Sequence, residues 1–221
     1  MAKKISLTSN NGFGWKFGTS GSKLVELETE HGFGWDFVKQ AAPVNTVAPA
    51  ITGTARVGQT LTVTNGTWTG EPAPTFTRQW KRGATNIGTG GTTYVLVAAD
   101  AGQVITCVVT ATNTEGSANA TSNATAAVTQ TPANTVLPVI TGTAQEGQVL
   151  TVSTGTWTGT PTPTYTRQWK ADAVNISGAT ATTYTPVVGD VGKVITCTVT
   201  GTNSAGNASA TSAATAAVIA A

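Results

Sequence analysis

Hydrophobic and polar residues alternate in short runs along most of the chain, and turn residues punctuate the runs. Gln59 to Thr64 sets Thr60, Thr62 and Thr64 against Leu61 and Val63. A period of two places one set of side chains on each face, so this segment predicts a half-buried strand. Thr75 to Lys81, which contains Trp80, predicts a second strand, and Thr92 to Val97 a third. Val104 to Ala111 carries Ile105, Cys107 and Val109 on one face. Asn113 to Gly116 supplies a turn, and Ala118 to Val128 reads as a final strand. Roughly seven strands in about 85 residues predict a sandwich or barrel.

The same pattern then recurs. Thr46 to Lys81 and Thr135 to Lys170 are identical at 26 of 36 positions, with an offset of 89. One residue is inserted before Tyr184, and an offset of 90 then relates Tyr94 to Tyr184, Asp100 to Asp190, Cys107 to Cys197 and Asn113 to Asn203. A period near 90 exceeds any solenoid turn and suits a complete small domain. The expected organisation is a docking segment over 1–41, one module over 44–129 and a second over 133–219. Gln40 to Pro43 and Thr129 to Asn134, short and proline-bearing, read as semi-stiff spacers.

The motifs of each module, in order, are VGQTLTV or EGQVLTV, GTWTG, P-x-P-T-[FY]-T-R-Q-W-K, T-T-Y, D-x-G-x-V-I-T-C and T-N-x-x-G. This set resembles the bacterial and phage immunoglobulin-like domains over about residues 44 to 219. The resemblance implies an all-β fold of two tandem sandwiches after a small β-rich N-terminal segment. It makes Trp80 and Trp169 the core tryptophans of strand C, and Cys107 and Cys197 the strand F cysteines. The site of an antibody domain's second cysteine falls near Leu61 and Leu150, so no inter-sheet disulfide is expected. Ile105 and Ile195 stand where a tyrosine corner would need tyrosine.

Composition narrows the function. Charged residues make up 10% of the chain and the net charge is +2. No basic block exceeds Lys3-Lys4, so no nucleic-acid partner is expected. No run approaches 18 apolar residues, so no membrane span is expected. The N-terminus lacks the apolar run of a secretory signal, which points to synthesis in a cytoplasm. Asn-x-Thr/Ser triplets at Asn65, Asn119, Asn123, Asn175 and Asn207 therefore carry no weight as glycosylation sites.

Candidate chemistry is sparse. Cys107 and Cys197 lie in apolar alternation with no histidine in either module to lower a thiol pKa, so both read as reduced core residues. Asp100 and Asp190 read as turn-fixing residues, paired with Arg78 and Arg167. The single histidine, His31, reads as a turn residue, and Glu26, Glu28 and Glu30 as a solvated edge. No metal, cofactor or enzymatic constellation is expected.

The first 41 residues are different material. GFGWKF at Gly12 to Phe17 and GFGWDF at Gly32 to Phe37 bring together Phe13, Trp15, Phe17, Phe33, Trp35 and Phe37, six of the 14 aromatics. Some 40 residues rarely bury six large rings against one another, so part of this surface is expected to face a partner. The layout resembles that of phage head-decoration and fibre proteins: a docking segment followed by projecting disulfide-free domains. It implies a capsid decoration protein at the virion surface, bound through residues 1–41 to the major capsid protein or another virion protein. Self-association and host-surface glycans are further partner classes. A tail or tail-fibre protein and a carbohydrate-binding adhesin module are the alternatives.

Overall fold

In a computed structural model of the protein, which describes residues 40–221, the alternating segments pair into two successive β-sandwiches. The first module contains β1 (Ala41–Val47), β2 (Ile51–Thr52), β3 (Thr60–Val63), β4 (Thr67–Glu71), β5 (Thr75–Arg82), β6 (Thr85–Thr89), β7 (Thr93–Val95), β8 (Ile105–Asn113) and β9 (Gly116–Thr121). Its second sheet has the order β6-β5-β8-β9, and β2-β3-β7 packs opposite. β1 pairs with β4 in a separate two-stranded ribbon, interrupted by irregularities on both sides of the Val44–Asn45 pairs. The second module repeats every one of these pairings: β10 (Gln130–Val136), β11 (Ile140–Thr141), β12 (Leu150–Val152), β13 (Thr156–Thr160), β14 (Thr164–Ala171), β15 (Val174–Asn175), β16 (Thr183–Tyr184), β17 (Ile195–Asn203) and β18 (Gly206–Thr211). The fold is all-β, a pair of immunoglobulin-like sandwiches, with nine strands in each module rather than seven. The strands that alternation did not mark are β1, β2, β4 and β6.

Core and motif positions coincide. Leu61 and Val63 from one sheet meet Trp80, Ile105 and Cys107 from the other, and Leu96 and Val128 close one end. Leu150, Val152, Trp169, Ile195, Cys197 and Val218 do the same in the second module. Burying a side chain of this size from water contributes about 1.5 to 3 kcal/mol.

Gly66 and Gly155 open the GTWTG motif at φ +74° and +77°. A Cβ there would stand 2.2 Å from the Val47 carbonyl oxygen or 2.3 Å from that of Val136, so only glycine lets the ribbon close on its neighbour.

Two sequence expectations are corrected here. The segment after β9 is not a continuous strand to Val128. β9 ends at Thr121, and the Ser122 and Thr125 hydroxyls accept the Cys107 and Ile105 amides at 2.9 and 3.0 Å. Serine and threonine side chains compete with backbone partners in this way, and the ladder breaks where they do. The supposed spacers are structural as well. Ala41 pairs with Glu71, and its carbonyl accepts a hydrogen bond from Asn113, so the strand begins inside the proposed first spacer. At the second, the Thr129 amide donates to Ala55 in the first module, while Gln130 already pairs with Thr160 in the second. No residue lies between the modules.

The junction is held by more than the chain. Arg56 Nη1 donates to the Ala205 carbonyl at 3.2 Å, and the Gly102 Cβ position faces Thr160 Cγ2 at 3.7 Å. Ala205 is buried and Thr160 half-buried, whereas their counterparts in the first module, Glu115 and Glu71, are exposed. One end of module 1 therefore seats on the opposite end of module 2.

Candidate functional site

Each sandwich encloses one polar network, built on the tryptophan that the sequence places at its centre. On β5 the inward positions are Phe76, Arg78, Trp80 and Arg82, as the period of two requires. Trp80 pairs in register with Cys107 on β8, stacks on Tyr94 with ring centroids 5.7 Å apart, and donates its indole N–H to the Gly91 carbonyl at 3.1 Å. The Tyr94 hydroxyl donates to Asp100 Oδ2 at 3.0 Å, the Val97 amide donates to the same oxygen at 2.8 Å, and Arg82 Nε donates to Oδ1 at 2.7 Å. Asp100 is fully buried at the end of the 3-10 turn Ala98–Asp100 and spends every lone pair it has room for on this corner.

The second module keeps the network but loses its cation. Trp169 stacks on Tyr184 at 5.6 Å, and Asp190 accepts hydrogen bonds from the Tyr184 hydroxyl and the Val187 amide. Ala171 occupies the place of Arg82. The predicted pairing of Arg78 and Arg167 with these aspartates is therefore wrong. Arg78 is opposite Val109 and Arg82 opposite Ile105, so the two arginines are four residues apart, about 13 Å along a strand. Only Arg82 reaches the end where Asp100 lies. Arg78 and Arg167 instead donate to Asn65 Oδ1 and, at 2.8 Å, Thr154 Oγ1. Repetition does not point to Arg82, which only one module has; its signal in the sequence is an inward charge two residues past the tryptophan.

None of these groups is poised for chemistry. Burial pushes both thiols, Cys107 and Cys197, above their usual range, so each is held as the unreactive protonated form, and both are free. Among the described residues there is no group of three histidine, cysteine, aspartate or glutamate side chains that could hold a metal. No helix among them is long and apolar enough to cross a membrane.

Tyr94 and Tyr184 are likewise pushed up, first by burial and then by the carboxylate each hydroxyl serves. A folded pKa above the unfolded value near 10.0 means that this stabilisation is complete below that pH and is lost as pH rises through it. The thiols act in the same sense from near 9.0. The denaturant midpoint is expected to hold steady from about pH 7 to 9 and to fall above it. Urea titrations across this range check the point. A midpoint unchanged up to about pH 11 would contradict the burial argument.

Two surface features remain. Trp68 and Trp157, the only other tryptophans of the modules, do not form an exposed platform. They are half-buried, lie against Phe76 and Tyr165 at 6.1 and 5.8 Å, and donate their N–H groups to the carbonyls of Asn65 and Thr154. The outer face of each four-stranded sheet is rich in hydroxyls and amides, with Lys81 or Lys170 as its charge. In module 2 the ranks Thr164, Thr202, Asn207 and Thr166, Thr200, Ser209 run across it, with Thr200 and Ser209 bonded to each other at 2.7 Å. Phe13, Trp15, Phe17, Phe33, Trp35 and Phe37, with His31 and the three glutamates, lie outside the described residues.

No family model matches the chain, and no curated protein matches it. Similar solved structures are chains of tandem immunoglobulin domains. The N-terminal four domains of Dscam1 isoform 7.44 match at 19% identity and a TM-score of 0.40, over 85% of this chain and 48% of that one. The titin I-band fragment I67-I69 matches at 17% and 0.40, over 82% and 66%. Drosophila OTK extracellular domains 3-5 match at 22% and 0.40, over 79% and 60%. The chain thus spans about half the length of the Dscam1 fragment.

Proposed function

We propose that this chain is a structural protein of a bacteriophage particle, a capsid decoration protein that docks through residues 1–41 and displays its two sandwiches outward. The observation that carries this reading is the distribution of aromatic residues. All eight aromatic residues of the modules are engaged in four inward ring pairs: Trp68 with Phe76, Trp80 with Tyr94, Trp157 with Tyr165, and Trp169 with Tyr184. The modules therefore offer no large aromatic anchor of their own. The other six rings belong to the doubled GFGWKF and GFGWDF motifs, and exposed aromatic anchors are what typically carry protein interfaces. Glycines on either side of Phe13 and Phe33 allow a partner's backbone to approach closely.

Two further features support a displayed role. The sandwiches stand without a disulfide, as suits a protein that folds in a reducing cytoplasm before release. Their joint without spacer residues makes a two-module projection. The hydroxyl-rich outer faces suit weak hydrogen bonding to host-surface glycans, with one strand lysine, Lys81 or Lys170, on each.

The test separates the two halves. Residues 1–41 fused to an unrelated reporter are expected to bind particles stripped of this chain, and a fragment of residues 40–221 is expected to fold but not to bind. That fragment begins at Gln40 so that it keeps the whole of β1, which starts at Ala41. Binding of the two-sandwich fragment as well as the full chain would overturn the anchor assignment.

A further inference from the structure

Asn65 is followed by Gly66, and in such a pair the backbone nitrogen of the glycine readily attacks the asparagine side-chain amide. Glycine leaves that nitrogen unshielded and the peptide free to turn. The fold itself requires the glycine, because Gly66 stands at φ +74° and a Cβ would lie 2.2 Å from the Val47 carbonyl oxygen. The reactive pair is thus built into the ribbon.

The groups that would change partners are unencumbered. Among the described residues neither the Gly66 amide nor the Asn65 side-chain nitrogen donates a hydrogen bond, so no native bond opposes attack by the one or departure of the other. Both residues are half-buried, so water reaches them.

The neighbouring cation favours the product. Arg78 Nη2 donates to Asn65 Oδ1, the oxygen that gains negative charge when its carbon is attacked, and a charged donor already in place stabilises that charge as it develops. Arg78 Nε is buried and has no acceptor. Nε and Nη2 point the same way from the guanidinium, as a fork that matches the two oxygens of a carboxylate. An amide, with one oxygen, fills one tine. A carboxylate at position 65 would fill both and supply a counter-charge, which Arg78 receives from no acidic side chain among the described residues.

Module 2 has the same cation without the reactive pair. Thr154 precedes Gly155, its hydroxyl accepts from Arg167 Nη2 at 2.8 Å, and Arg167 Nε is again buried without an acceptor. Threonine has no amide to lose.

We propose that Asn65 is a self-modification site, at which the Gly66 nitrogen displaces the side-chain amide and the product is an aspartate at position 65 paired with Arg78. The nitrogen adds to Cγ, its proton leaves with the side-chain nitrogen as ammonia, and a succinimide closes. Water then breaks the new Cγ–N bond and leaves a carboxylate, so one water is consumed and one ammonia released with no oxidation or reduction. Opening at the backbone carbonyl would instead give isoaspartate, which lengthens the main chain just before Thr67, where pairing with Val47 fixes the register of β4. The fold therefore favours aspartate, whereas an unstructured chain favours isoaspartate. The inference stands independently of what residues 1–41 bind.

Incubating freshly purified full chain in mildly alkaline buffer, followed by peptide mapping with mass spectrometry, tests it. The peptide that holds Asn65 is expected to gain the mass of an amide-to-acid exchange with aspartate as the main isomer, while the same chain held in urea gives mainly isoaspartate. Arg78→Gln is expected to slow conversion in the folded chain by about tenfold or more. Circular dichroism would check that this variant keeps its fold. Thr154→Asn moves the reactive pair to module 2 beside Arg167, and conversion at that position with the same isomer preference is expected. As Asn65 converts, the urea midpoint of module 1 should rise, because both tines of the guanidinium are then filled. Asn65 that stays intact in the folded chain while the denatured chain converts would overturn the proposal. So would an isomer ratio in the folded chain equal to that in urea, or a rate indifferent to Arg78→Gln.

Discussion

Replacing Trp169 with alanine is expected to lower the stability of its module by about 3 to 5 kcal/mol, the usual range for deleting a large aromatic from a core. Trp169 is fully buried. Its ring covers Cys197 from across the β14–β17 pair, stacks on Tyr184, and gives its indole N–H to the Ala181 carbonyl at 2.9 Å. Removal leaves a cavity, orphans that carbonyl and frees the tyrosine that holds Asp190. Trp80→Ala should do the same to module 1. Denaturant titration of each variant, followed by circular dichroism, reads the loss. The sharper question is whether the neighbour follows. Arg56 and the direct Thr129–Gln130 connection tie the modules together, but neither core reaches across the joint. The intact module is therefore expected to keep its own midpoint to within about 1 kcal/mol, its contact with the other being a single hydrogen bond and a small seat. A loss below about 1 kcal/mol in the mutated module would mean that the indole is not the centre of its core.

The second large effect is expected at Asp100. Substituting alanine leaves the Tyr94 hydroxyl and the Val97 amide without an acceptor inside the sandwich, and buried donors left unpaired cost about 1 to 3 kcal/mol each. A total loss of about 2 to 4 kcal/mol is expected, since the two donors share one corner and the cavity is small. Asp190→Ala removes the same two bonds in module 2, yet no guanidinium is stranded there, so its loss should be the smaller of the pair. The converse substitution supplies what module 2 lacks: Ala171→Arg should raise its midpoint by placing a cation beside Asp190, as Arg82 stands beside Asp100 at 2.7 Å. Thermal or urea melts of the three variants decide the matter. Equal losses at Asp100 and Asp190, together with no gain from Ala171→Arg, would show that the ion pair adds nothing to the hydrogen bonds.

Much of the architecture was legible along the chain because strands and sandwich cores write themselves as alternation. Leu61, Val63, Trp80, Ile105 and Cys107 were all inward in the period-two reading, and all are buried. The near-identity of two 36-residue segments required the second module to repeat the first. Sequence alone also fixed the absence of an inter-sheet disulfide, since each module has one cysteine and leucine stands where the other would be. It likewise placed the surplus aromatics outside the modules.

What it could not decide was which residues meet across the sandwich. Arg78 and Arg167 drew attention because both modules share them, yet strand register carries Arg82, four residues on, to the aspartate. Pairing depends on position along the strand as well as on the face, and repetition reports only the face. The stretch after Thr121 kept its apolar alternation while Ser122 and Thr125 diverted the ladder through their side chains, a choice made by the amides of β8. Proline and small polar residues at 40–43 and 129–134 look the same in a flexible spacer and in an edge strand. Only the partners, Glu71 for Ala41 and Thr160 for Gln130, made them strands and brought the modules into direct contact.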